Sequence, residues 1–277
     1  MSPVSPYTRA RLTIEVAICT LGADGISSVA RMLPSQSEGV RYLVSWQGGK
    51  DIAVPRQLAI RDDVRVIRCA GTGLSANRNH ALDHVEGDII LIADDDLVYH
   101  EGAFEAVRQA FETHPELEYA SFRHDGPGER IYPDVETRLV RKLPPNFVQT
   151  SFEVALRRDS RAATLRYNED FGLGSGKYMC GEEELLLRKA IANGMECRFF
   201  PITIVTHPDV STGFREEDRM AVNMVRGVLT VIDHPWSWPV RTAVRCWRNG
   251  GMRGVINGFV GALETCLSPK VRRYVRS

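Results

Sequence analysis

Asp94, Asp95 and Asp96 follow directly on the apolar run Ile89-Ile90-Leu91-Ile92-Ala93. Adjacent carboxylates repel one another, and each costs free energy to desolvate unless a cation or a hydrogen-bond donor compensates it. At the end of a buried strand such a triplet is poorly explained by stability. It suits the binding of a hard divalent ion, Mg2+ or Mn2+. The C-terminal edge of the strands is also where open α/β sheets bind ligands. A solvated acidic turn is the competing reading, and the five apolar residues before the triplet weigh against it.

Three other groups carry chemistry. Gly73-Leu74-Ser75-Ala76-Asn77-Arg78-Asn79 opens a helical stretch just ahead of the aspartate strand. Gly181-Glu182-Glu183-Glu184 follows a glycine-rich loop, Phe171-Gly172-Leu173-Gly174-Ser175-Gly176, and opens another; Thr206-His207-Pro208 closes a late strand-like run. Arg78 can pair with a phosphate or with the aspartates, and Asn79 can orient backbone or a ribose. Glutamates in a first turn also suit the helix dipole with no further role. The glycine loop reads either as a segment that closes over a ligand or as a surface connection. His80 and His84 lie one turn apart, but no third ligand accompanies them, so surface or packing roles are expected.

These groups need a frame. Residues 14–19, 42–45, 64–67 and 89–93 read as strands; 26–33, 75–85 and 101–113 read as helices, with Ser75 an N-cap. Strand and helix alternating over the first half predicts an α/β fold with a largely parallel sheet. Further strands are expected at 119–123, 152–157 and 199–206 and a helix at 182–193, ended by Gly194. Beyond Arg219, apolar and basic residues alternate in helical stretches split by Pro235, Pro239 and Gly250-Gly251.

The order and spacing of the motifs resemble the GT-A glycosyltransferases, in particular the inverting family 2 enzymes, over roughly residues 12–210. The carriers are Ser75-Ala76-Asn77-Arg78-Asn79-His80-Ala81-Leu82, the aspartate triplet, and Gly181-Glu182-Glu183 with Leu185-Leu186-Leu187-Arg188. The resemblance implies a GT-A catalytic domain, taken over 12–218; composition and pattern mark 1–11 as a flexible lead-in and 219–277 as a basic helical extension. It implies a nucleotide-diphosphate-sugar donor, a UDP-sugar first, and Mn2+ or Mg2+ held by Asp94, Asp96 and His207. Donor contacts are expected from Thr20, Asp24, Gln47, Arg78, Asn79, Asp94 and Asp95. Glu183 falls where these enzymes place their catalytic base, usually an Asp, with Glu182 in reserve. Many relatives end the second strand with a base-reading aspartate; here Trp46 and Gln47 stand there, to stack on a base or hydrogen-bond to it. A nucleotidyltransferase of related fold is the rival enzyme, against which Leu21-Gly22-Ala23-Asp24-Gly25 lacks any Lys or Arg. A sugar-nucleotide-binding scaffold without turnover is the non-enzymatic rival.

Composition agrees with a globular enzyme: 277 residues, 43% hydrophobic, 25% charged and formally neutral. The charge is divided, however. Residues 219–277 hold ten Lys or Arg against two Asp or Glu, a net of +8, and the preceding residues hold 25 against 33, a net of −8. A basic extension with Trp236, Trp238 and Trp247 suits peripheral contact with a membrane that carries a lipid-linked saccharide acceptor. Packing on the acidic body and homo-oligomer contact are the alternatives, and nothing implies nucleic acid. Six scattered cysteines without metal spacing, an N-terminus without a signal-like apolar core and the lack of an 18-residue apolar run predict a cytoplasmic protein.

Overall fold

A computed structural model describes residues 11–127, 131–145, 147–207, 218–268 and 270–277. The order of elements is β1 (Ile14–Leu21), α1 (Gly22–Met32), β2 (Val40–Gln47), α2 (Arg56–Ala59), β3 (Val64–Cys69), α3 (Leu74–Leu82), β4 (Ile89–Ala93), β5 (Val98–Tyr99), α4 (Ala103–Thr113), β6 (Tyr119–Asp125), β7 (Thr137–Arg138), β8 (Val154–Arg157), α5 (Glu182–Ala192) and β9 (Cys197–Thr206). Four helices complete the chain: α6 (Arg219–Asp233), α7 (Trp238–Arg248), α8 (Gly251–Leu267) and α9 (Lys270–Arg276). The expected lead-in lies outside the described residues except for Arg11, which pairs with Glu105 of α4.

The sheet runs β3-β2-β1-β4-β8-β6-β9-β5, with β7 on β9. The long pairings, β1 with β2 and β4, β2 with β3 and β6 with β9, are parallel; the short ones through β5, β7 and β8 are antiparallel. Alternation along each strand divides the core between two faces. Ile14, Val16 and Ile18 of β1 join Ile26 of α1 and Phe111 of α4 on one side. Ala17 and Cys19 join Ala81 of α3 and Leu186 of α5 on the other. A sheet covered on both sides requires apolar residues in every strand position, and β4 is buried throughout.

Several boundaries differ from expectation for local reasons. The first helix begins at Gly22, directly after β1, four residues earlier than the expected start at Ile26. β2 continues through Trp46 and Gln47, because β1 and β3 extend beside it that far. The N-cap position of α3 is Gly73, at φ +89°, not Ser75. The Ser75 hydroxyl instead donates to the Phe171 carbonyl, 2.6 Å away, tying α3 to the glycine-rich loop. All six cysteines are free.

The C-terminal extension packs on the α/β body through a third apolar cluster. Phe171, Tyr178 and Leu185 meet Val225, Val228 and Leu229 of α6 and Val271 and Val275 of α9. Arg188 of α5 holds Asp233 of α6 through two bonds of 2.8 and 2.7 Å. α8 is amphipathic in the inverse of the usual sense. Gly254, Gly258, Gly261 and Ala262 face inward, and Met252, Ile256, Val260, Leu263 and Leu267 face outward, from 41% exposed at Val260 to 84% at Leu267. A Cβ on Gly227 of α6 would stand 1.8 Å from the Gly258 carbonyl, so the two backbones meet where neither has a side chain.

Candidate active site

Four strand and helix ends and the middle of α3 converge on one cleft of about 2060 Å³. Thr20 closes β1, Gln47 closes β2, Asp94 follows β4, Arg78 lies on α3, and Glu182 and Glu183 open α5; all line the cleft, as do Asp95, Asp96 and His207. Parallel strands bring their C-terminal ends to one edge, which is why residues so distant in sequence meet there.

Arg78 is the centre of the charge network. Its buried guanidinium donates to Glu182 (3.0 Å), Glu183 (2.6 Å), Asp94 (3.0 Å) and the Ser151 hydroxyl (2.7 Å). Its carbon stands 5.4 Å above the centre of the Tyr167 ring. Burial alone would weaken its hold on the proton, but Glu183 and Asp94 together keep its pKa well above the ordinary value. One cation therefore serves three carboxylates. Burial, and then the neighbouring Glu182, raises the pKa of Glu183 well above the usual carboxylate range, with Arg78 opposing. One Glu182 carboxylate oxygen is buried without a partner.

The aspartates take three different partners. Asp94 is held by Arg78 and lies 3.4 Å from the Ser151 hydroxyl. Asp95 accepts a bond from Thr20, and burial nevertheless raises its pKa. One oxygen of Asp96 is 3.4 Å from His207 Nε2, and its other oxygen is buried with no hydrogen-bond partner. His207 stacks on Phe152, the rings 5.1 Å apart and 8° from parallel. Among the described residues no three or more His, Cys, Asp or Glu side chains already surround a common point. Asp96 and His207 are a donor pair with an orphaned oxygen. This fits Mg2+ or Mn2+ taking one or two protein ligands and completing its shell with water and ligand phosphates.

Comparison with known proteins decides the family. The sequence pattern of glycosyl transferase family 2 matches residues 24–175, more than half of the chain. The chain belongs to that family. Among solved structures, the fold of the glycosyltransferase is similar to that of TarS residues 1–349 from S. aureus, with a TM-score of 0.56 and 12% identity over 92% of each chain. It is similar also to that protein's complex with UDP-GlcNAc, at 0.55 and 13%, over 95% of this chain and 84% of the other. The mannosyltransferase PcManGT from Pyrobaculum calidifontis, in complex with GDP-Man and Mn2+, matches at 0.55 and 14%, over 98% and 85%. No curated protein sequence matches the chain.

Two residues expected at the glycosyltransferase site stand outside the cleft. Asp24 is exposed in the first turn of α1. Asn79 spends its amide on the segment 167–169: it donates to the Tyr167 carbonyl (3.0 Å) and the Glu169 carboxylate (2.9 Å) and accepts from the Tyr167 N–H (2.7 Å). Gln47 lines the cleft, but its amide donates to the carbonyls of Gly71 (2.9 Å) and Gly73 (3.1 Å), shaping the loop before α3. Trp46 donates its indole N–H to Gly22, and Arg68 covers its ring at 3.8 Å.

Sequence reasoning missed Ser151 and Asn77. Asn77 donates to the carbonyls of Thr20 (3.2 Å) and Ser45 (3.1 Å), joining the ends of β1 and β2 at the cleft floor. Its place inside the α3 motif was a usable signal. Ser151 sits in a short 3-10 turn before β8, and nothing local distinguishes it. The glycine-rich loop is fixed against α3: Leu74 N–H donates to the Leu173 carbonyl at 2.8 Å, and a Cβ on Gly174 would stand 3.2 Å from the Gly73 Cα. Gly181 is required in two ways. It has φ +93°, and a Cβ there would reach within 2.4 Å of Val225 on α6.

Proposed function

We propose that the glycosyltransferase moves a sugar from a nucleotide-diphosphate-sugar donor, a UDP-sugar first, to an acceptor hydroxyl with inversion at the anomeric carbon. The acceptor is a saccharide, free or lipid-linked, used in building cell-surface polysaccharide or glycoconjugate. The observation that carries this reading is the shared Arg78: it joins the aspartate run that faces the donor to the glutamate pair that faces the acceptor, across one cleft. The complexes of the fold neighbours with UDP-GlcNAc and with GDP-Man and Mn2+ support a nucleotide-sugar donor.

In this reading Glu183 accepts the proton of the attacking hydroxyl. A raised pKa makes its carboxylate the stronger base once ionised, and Arg78 fixes its orientation. Asp95, held by Thr20, stands beside the ribose and diphosphate. Asp96 and His207 would hold a divalent ion, which when bound neutralises charge developing on the leaving diphosphate. A thermal-shift series with UDP, GDP, CMP and dTDP, each with and without Mn2+, tests the donor half. A ligand at about 100 times its Kd adds roughly 2.7 kcal/mol. Stabilisation by one nucleotide only with Mn2+ is the expected result; none with any of the four would overturn it.

We propose further that the outer face of α7 and α8 rests on an anionic membrane surface. The apolar residues that a soluble helix would bury are those α8 exposes, and Trp236, Val240 and Trp247 are exposed as well. No helix among the described residues is long and apolar enough to cross a membrane, so the contact lies in the interface plane. Residues 234–263 contain no acidic residue, and of their arginines Arg241 and Arg253 are exposed away from the cleft lining. A two-fold contact between copies through this face would bring the arginines together without a carboxylate, whereas anionic headgroups complement them.

A further inference from the structure

The wall of the cleft built by the extension is unlike the rest of it. α6 contributes Val225, Arg226 and Leu229, and α7 contributes Val244, Arg245 and Arg248. On α7 the spacing of 244, 245 and 248 keeps these on adjoining positions of one side. The arginines that face protein acids elsewhere have found them: Arg78 has three carboxylates and Arg188 has Asp233. Arg226, Arg245 and Arg248 have no ion pair with any described carboxylate. Among the described residues their one side-chain hydrogen-bond acceptor is the Thr230 hydroxyl, 3.5 Å from Arg245 Nη1. Burial lowers the pKa of Arg226; Cys246 opposes this, and Arg245 adds to it. Three guanidinium groups lining one side of the cleft, with Arg226 partly buried and none of them paired to a described carboxylate, suit an anion from outside.

The position of the wall says which ligand supplies it. The aspartates lie on the β-strand side of Arg78 and the glutamates on the other. Val225, next to Arg226, packs against Gly181 at the start of the glutamate helix. The wall that carries the arginines therefore adjoins the start of the glutamate helix. We propose that α6 and α7 form an acceptor subsite for a phosphate group, held by Arg226, Arg245 and Arg248 beside Val225, Leu229 and Val244. This rests on the glycosyl-transfer reading for the word acceptor, but the phosphate site itself does not. Guanidinium groups match phosphate oxygens in geometry as well as charge. The phosphate can belong to a lipid carrier or to a water-soluble phosphosaccharide.

The test titrates the full chain, with UDP and Mn2+ saturating so that the donor site is filled, using farnesyl phosphate, glycerol 3-phosphate, farnesol and glycerol. At least one phosphate compound should bind while its neutral counterpart does not. Arg245→Gln/Arg248→Gln, at exposed positions that spare the core, should weaken that binding by at least about tenfold, the loss of charge-assisted bonds. Arg226→Gln should do the same. UDP affinity should stay within about twofold, as for independent sites. Farnesyl phosphate binding roughly tenfold tighter than glycerol 3-phosphate would assign the phosphate to a lipid carrier, since several buried methylenes suffice for that difference; near-equal affinity would assign it to a soluble compound. The proposal is overturned if neither phosphate binds, if farnesol binds as well as farnesyl phosphate, if the variants keep phosphate affinity, or if they lose UDP instead. Should UDP itself fail to bind, the donor reading falls, and the same titration of nucleotide-free protein still decides the phosphate site.

Discussion

Two acidic runs face each other across the cleft, and they are neutralised by different means. Asp94, Asp95 and Asp96 follow a strand, so successive side chains diverge and each finds its own partner: Arg78, Thr20 and His207. Glu182 and Glu183 open a helix and converge on one guanidinium. The aspartate run receives only a share of one arginine and keeps an orphaned oxygen on Asp96. The glutamate pair is deeply buried, and Glu183 is pushed toward its protonated form. A divergent run short of cations suits a metal and a diphosphate. A convergent, buried pair with a raised pKa suits proton transfer.

Glu183→Gln probes the glutamate side most directly and should have the largest effect. Loss of a general base lowers transfer by about a hundred- to ten-thousandfold, measured as turnover, with UDP affinity unchanged. The same substitution should raise thermal stability near pH 8. A carboxyl group whose folded pKa lies above its unfolded value contributes stability that is lost as pH rises through the folded pKa, and Gln has no such loss. The two proteins should converge near pH 4, where Glu183 is protonated both folded and unfolded. Turnover of the unmodified enzyme should rise with pH through the raised pKa of Glu183; a flat profile from pH 5 to 8 would remove Glu183 from the role of base.

Arg78→Met breaks the link between the two runs and strands three carboxylates. The expected destabilisation is about 3–5 kcal/mol, that of an uncompensated buried charge, read from urea unfolding. A smaller cost at low pH than at pH 8 would confirm that the carboxylates cause it. Asp96→Ala should act on the aspartate side alone, lowering Mn2+-dependent UDP affinity by roughly 10- to 100-fold, comparable with the loss of support at metal sites, and leaving metal-free affinity as it is. Equal loss with and without Mn2+ would reassign Asp96 to direct nucleotide contact. The smallest effect concerns neither run. Ile256→Ser/Leu263→Ser on α8 should reduce sedimentation with phosphatidylglycerol vesicles by about tenfold through lost apolar burial, with little change in turnover on a soluble acceptor. A change in oligomeric state instead would give that face to a second copy.

The aspartate run, the α3 motif and the α/β alternation were legible because their signals are local: five apolar residues, then carboxylates; glycine, then helix formers. The pairing of Ser75 was not, since its hydroxyl bonds to Phe171, 96 positions away. Neither was the use of Asn79, which the motif marks but whose partner, Tyr167, lies in an irregular segment.

The amino-acid sequence by itself determined the family, the presence of a largely parallel sheet and which residue types could bind a metal or move a proton. Periodicity and motif order are properties of neighbouring residues, and a sequence states them directly. Only the tertiary structure decided that Arg78 joins both acidic runs, that Asp24 stands outside the cleft, that α8 turns its glycines inward and its large apolar residues outward, and that Arg226 and Arg245 share a wall. Each depends on distances between segments brought together by packing, and side-chain charge and reach acquire their effect only once those distances are fixed.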